Sequence, residues 1–291
     1  MIPAAFAYHA PKSLTEATAL LAKLGDGAKV LSGGQSLIPL MKLRLTSPPH
    51  VVDINGIQGL AYLKEADGFL RIGALTRESD LDESELIRTR YPLLHDTCKV
   101  IADPLVRNMA TVGGNLAHGD PANDHPAAML ALGAQVVAVG GKGERRIPIA
   151  SFFTGPFETA LEPDEILTEI RVPVPPAGSG GAYVKMERKV GDFATAAAAV
   201  QVSMNDDGTI RSAGVALSAA GPCAVRVDAA ERLLAGQKPG EELIRAASDA
   251  AWHRSAPQAD LRGSVDYKKH LAGVLVARGL RQALARLGVQ A

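Results

Sequence analysis

Residues 30–45, VLSGGQSLIPLMKLRL, decide how this chain is read. An apolar strand end, Val30 and Leu31, runs into Ser32, Gly33, Gly34, Gln35 and Ser36, and a second apolar run opens at Leu37. Adjacent glycines let a backbone turn where a Cβ would clash, and let a ligand come close. Successive amides in such a turn form a concave anion site, and a helix start just beyond adds its positive end. The stretch therefore offers a cradle for a pyrophosphate. The plainer alternative is a Gly-Gly turn between strand and helix.

Residues 111–125, TVGGNLAHGDPANDH, repeat the arrangement roughly a quarter of the chain later. Thr111 and Val112 lead into Gly113 and Gly114, and Asn115 follows. Two such loops facing one crevice suit a dinucleotide with two phosphates and a long sugar backbone. Neither loop has the G-x-G-x-x-G spacing, which argues against a Rossmann site. Ser36 and Thr111 can also be read as ordinary helix caps.

Outward from these loops, Leu14, Ala17, Leu20, Leu21 and Leu24 recur at helical spacing behind a Ser13/Glu16 capping box, with Gly25 as a stop. That predicts a helix over 13–24, then strands at 29–31 and 51–54 around a helix broken by Pro48 and Pro49. Further on, strands are expected at 69–73 and 166–172, and helices at 75–81 and 91–101. Residues 135–139 and 145–149 flank a Gly-Gly-Lys-Gly hairpin turn. VPPAGSGG, residues 174–181, reads as a linker. Beyond it, 193–204 and 209–218 flank an Asn-Asp-Asp-Gly hairpin turn, and helices are expected at 227–234, 241–252 and 265–287.

SGGQSLIPLMKLRL and ATVGGNLAHGDPANDHPAAMLALGA resemble the FAD-binding medium subunit of molybdenum hydroxylases, as do the opening MIPAAFAYHAPKSLTEATALL and the tail at 266–271. That family includes the carbon monoxide dehydrogenase medium subunit and is similar to the flavin domain of xanthine dehydrogenase. The resemblance covers essentially the whole chain. It implies an α+β fold: a two-subdomain FAD-binding domain of the vanillyl-alcohol-oxidase (PCMH) type over 1–176, split at about 57/58, then a C-terminal domain of antiparallel sheet and helices over 177–291.

The resemblance also implies roles for single residues. It puts a cofactor-contacting aspartate at Asp124, which a helix N-cap reading would also explain. It puts a leucine packing on the cofactor at Leu167 and a lysine near the flavin at Lys185, where the alternatives are generic core and a solvated charge. Ile101 takes the place of an apolar or aromatic neighbour of the cofactor. Phe193 stands where some relatives present a tyrosine to the ring, so the hydroxyl is missing here. The alanine-rich strand at 196–200 is expected to lie close-packed under that ring. His118, Asp120, Asp124 and His125 would satisfy a metal search, but Gly119 and Pro121 favour a tight loop around a cofactor. No nucleophile–histidine–carboxylate set stands out, so no catalytic residue is expected.

The 291 residues suffice for a full core and two domains. Lys plus Arg equals Asp plus Glu at 31 each, which argues against nucleic acid as the main partner. No apolar run approaches the ~20 residues of a membrane span, no signal peptide is evident, and a cytoplasmic protein is expected. Cys98 and Cys223 are the only cysteines, too few for a four-cysteine cluster or a disulfide framework. The resemblance implies that molybdenum cofactor and iron–sulfur clusters of the 2Fe–2S type belong to a large and a small partner subunit, in a dimer of heterotrimers. The expected role is an electron-transfer subunit holding FAD noncovalently. The alternatives are a stand-alone flavin-dependent oxidase or dehydrogenase and a redox-inactive nucleotide-binding assembly module.

Overall fold

Ser13 caps the first helix, Leu14–Leu24, by accepting from the Glu16 amide at 3.2 Å, and Gly25 ends it with φ 55°. A computed structural model describes residues 1–290. The helix packs Ala17 and Leu21 with Val52 of a small parallel sheet and with Ile54 just past its central strand. In that sheet His50–Asp53 runs between Ala7–His9 and Ala28–Leu31. The edge strand Ala7–His9 escapes the sequence reading because it is three residues long and largely exposed, so it shows no alternation. His9 of this strand and His50 of its neighbour meet at 3.2 Å.

A five-stranded antiparallel sheet follows, ordered Leu63–Ala66, Phe69–Gly73, Ile166–Pro173, Gln135–Gly140, Gly143–Pro148. The glycine-rich turn joins its last two strands, and Gly140 pairs with Gly143. Central strand Ile166–Pro173 carries an irregularity between Leu167 and Glu169. Such a bulge re-aims neighbouring side chains, and here Leu167 faces the cleft described below. Helices Pro92–Lys99, Val112–His118 and His125–Ala131 contribute to the main apolar core with this sheet.

The third layer is a four-stranded antiparallel sheet, Ser179–Met186, Ala196–Met204, Ile210–Ser218 and Val225–Arg226. Two parts of the sequence reading need correction here. Residues 179–181 are not linker: Gly180 and Gly181 are buried strand residues. A Cβ on Gly180 would lie 2.5 Å from the Ala283 carbonyl, so the glycine marks helix Val265–Ala285 packed hard on the strand. The alanine strand also has no open face for a ring. Ala197 and Ala199 face the core of the preceding sheet, while Ala196, Ala198 and Val200 face the C-terminal helices. A strand buried on both faces reads as a continuous apolar run.

Candidate cofactor-binding site

The two glycine loops touch. Ser32 Oγ and Thr111 Oγ1 lie 3.0 Å apart. A Cβ on Gly33 would stand 2.4 Å from the Met109 carbonyl, and one on Gly114 would stand 2.7 Å from Ser32 Oγ. These glycines are required by the neighbouring loop, before any ligand is considered. Gly34 differs: its φ of 74° is a backbone conformation that L side chains rarely adopt.

Between the loops lies a cleft of about 750 Å³, lined by Val30, Leu31, Ser32, Gly33, Gly34, Gln35, Ser36 and Leu37 on one lip. Thr111, Gly113, Gly114 and Asn115 line the other, and Leu167 lies on the sheet between them. Val112 sits behind, fully buried in the core. The hairpin Phe153–Gly155/Glu158–Thr159, which the sequence reading missed, also contributes to the wall. There Phe157, with φ 58°, packs against the His118 ring at 5.2 Å. Burial holds the His118 imidazole below its ordinary value against the pull of Asp120, which keeps it neutral at pH 7.

The lips are chemically unequal. The N–H groups of Gly33, Gly34, Gln35 and Ser36 have no acceptor among the described residues. On the other lip, the amides of Val112 and Gly113 donate to Thr76 and Ala74 carbonyls, at 3.0 and 3.1 Å. Gly114 donates to Thr111 Oγ1 and Asn115 to the Thr111 carbonyl. The second loop is therefore not the amide nest its sequence suggests. Thr111 acts as a true side-chain cap and Ser36 does not. What the second lip offers is Asn115, whose buried Oδ1 lacks a partner among the described residues. Its carbonyl is held from behind by Asn123 Nδ2 at 2.9 Å. Asn123 is tied in turn to Ser218 of the third sheet. Unpaired donors on one lip and a buried, unpaired acceptor on a residue of the other fit a ligand that is anionic at one end.

Ile101, Asp124, Lys185 and Phe193 do not line this cleft. Ile101 is buried, with its carbonyl taken by Arg107 at 3.0 Å. Asp124 makes no side-chain cap, because its carboxylate accepts from Lys185 Nζ at 2.9 Å and Tyr183 Oη at 2.8 Å. Burial pushes its pKa above the ordinary carboxylate range against the pull of those partners. The Lys185 side chain is only 2% exposed, which excludes a solvated charge. Phe193 is half exposed, next to Asp192, which two arginines hold down to a pKa of about 2. Among the described residues the structure gathers Glu78, Cys98 and His125, all buried. Glu78 and His125 hydrogen-bond at 2.7 Å.

A cleft between two subdomains with an anion cradle on one lip is the architecture of a protein that holds a nucleotide cofactor. Residues 4–175 match the family described as FAD binding domain in molybdopterin dehydrogenase, and residues 181–283 match the CO dehydrogenase flavoprotein C-terminal domain. The chain belongs to that FAD-binding family. It is 46% identical over 286 residues to the carbon monoxide dehydrogenase medium chain of Hydrogenophaga pseudoflava, covering 98% of this chain and 99% of the relative. It is 42% identical to the corresponding chain of Afipia carboxidovorans, covering 98% and 99%. A solved structure of carbon monoxide dehydrogenase from H. pseudoflava superposes with a TM-score of 0.96 at 48% identity, over 98% of this chain and 99% of that one.

Proposed function

We propose that this chain is the FAD-carrying medium subunit of a molybdenum hydroxylase of the carbon monoxide dehydrogenase type. The observation that carries the reading is the row of amides at 33–36, without acceptors among the described residues, on the lip of a cleft of about 750 Å³ that Asn115 also lines. Bound FAD would supply a carrier able to take electrons one at a time and give them up in pairs. The chain's own share is to hold it. Amides at 33–36 offset the charge of a pyrophosphate, Thr111 and Ser32 keep the lips in register, and Asn115 accepts from a donor of the cofactor. Leu167 supplies apolar wall. Asp124, Lys185, Ile101 and Phe193 sit away from the lips, and any contact they make would be with another part of the cofactor.

The domain division follows the same logic: cofactor part over 1–176, in subdomains of about 1–57 and 58–176, and C-terminal part over 177–291. Molybdenum cofactor and iron–sulfur clusters are assigned to a large and a small partner, in a cytoplasmic dimer of heterotrimers. Among the described residues no helix is long and apolar enough to cross a membrane. Purification of the complete complex tests the reading. Flavin absorbance should bleach when the complex's substrate is added, the isolated chain should stay oxidised with that substrate, and acid precipitation should leave the yellow colour in solution. A flavin that stays oxidised in a complex whose iron–sulfur clusters are reduced would refute electron transfer through this chain. Bleaching of the chain alone would favour a stand-alone oxidase.

A further inference from the structure

We infer that Arg77 and Asn55 are positioning residues that clamp the two glycine loops together and set the width of the cleft. The inference rests on the proposed FAD site. Arg77 lies at the start of helix Glu78–Glu83, in an antiparallel bridge with Thr111. Backbone bonds on either side of that bridge, Val112 to Thr76 and Glu78 to Ala110, each 3.0 Å, fix it against the second loop. From this anchored base the guanidinium reaches the segment leading into the second loop and, through Asn55, the first loop. One end, Nη1, donates to the carbonyl of Met109. The other, Nη2, donates to Asn55 Oδ1 at 3.1 Å. Asn55 then donates through Nδ2 to the carbonyl of Ser32 at 2.7 Å and to Asp53 Oδ1 at 2.7 Å.

The result is an unbroken path from the second loop, through Arg77 and Asn55, to the first residue of the cradle. Its ends matter. Met109 O is the atom that a Cβ at Gly33 would strike, so Arg77 holds the surface against which Gly33 rests. The Ser32 carbonyl precedes the first of the free amides, so a rotation there would turn the amide plane of Gly33. Neither Arg77 nor Asn55 lines the cleft, so both act through the loops. A planar fork with separated donors suits this task, and an ammonium on a flexible stem does not.

The test compares FAD dissociation constants of the full-length apo chain, alongside apo unfolding, for wild type, Arg77→Met, Arg77→Lys and Asn55→Ala. The expected losses of affinity are about tenfold for either Arg77 variant and about threefold for Asn55→Ala. Arg77→Met with Asn55→Ala together should lose no more than Arg77→Met alone, because one path is cut twice. FAD bound to a variant should also show blurred vibrational structure in its visible absorption. Wild-type affinity in Arg77→Lys would overturn the clamp, since charge alone would then suffice. So would additive losses, or variants that bind as tightly as wild type. If wild type itself takes up no FAD, the proposed function falls and this inference falls with it.

Discussion

Two loops that look alike in sequence do different work. Residues 33–36 keep their amides without acceptors among the described residues, whereas residues 112–115 use theirs to hold the backbone just past strand Phe69–Gly73 and their own helix start. Gly34 is there for its backbone angle, while Gly113 is there because the Ala74 backbone leaves no room for a Cβ, with the Ala74 carbonyl 2.6 Å away. A glycine pair therefore marks a tight approach without saying what approaches. Only hydrogen-bond accounting separates a loop that binds from a loop that supports.

Both loops can be scaled against the buried pair behind them. Lys185→Met should cost the most, about 3–5 kcal/mol in denaturant unfolding, by leaving Asp124 uncompensated. That loss should shrink at low pH as Asp124 takes up a proton. Next, Gly113→Ala should destabilise the apo chain by about 2 kcal/mol or more, because backbone has to move. Gly34→Ala should cost the apo chain only about 1–2 kcal/mol yet weaken FAD about tenfold. Equal effects of the two substitutions on both readouts would erase the distinction between the loops. Asn115→Ala should split the signs: apo stability is unchanged or raised by removing an orphan acceptor, while FAD affinity falls about fivefold.

The smallest effect is in pH. Burial alone would depress the His125 imidazole, but Glu78 beside it raises it overall. A group raised on folding stabilises below its unfolded value, near 6.5, and that contribution is lost as pH rises through the folded value. Apo stability should therefore decline above neutrality in wild type and not in His125→Gln, as read by unfolding at stepped pH.

Much of this was legible in the sequence because the signals are local. The Ser13 cap, both hairpin turns and the periodic C-terminal helices each depend on neighbours a few residues away. The rest depends on partners far along the chain. Gly180 and Gly181 look like linker until helix Val265–Ala285 is laid on them. The amides of the second loop look free until Ala74 and Thr76 are placed opposite. Asp124 and Lys185 look like separate polar residues, yet they meet across 61 positions. Asn55 and Arg77 carry no local mark at all, since their importance comes from bridging elements that only folding brings together.

The alanine strand reaches further than its small side chains suggest. Helix His125–Ala131 is wholly buried, and Gly214 of the neighbouring strand abuts the Ala131 carbonyl so closely that a Cβ would sit 1.9 Å away. Removing everything past residue 178 would uncover that helix and leave Asp124 without its lysine. Nicking at 174–178 should accordingly give two fragments that travel together on a sizing column until denaturant is added. The C-terminal third is less an appendage than the back half of a shared wall, and truncation would dissolve both rooms.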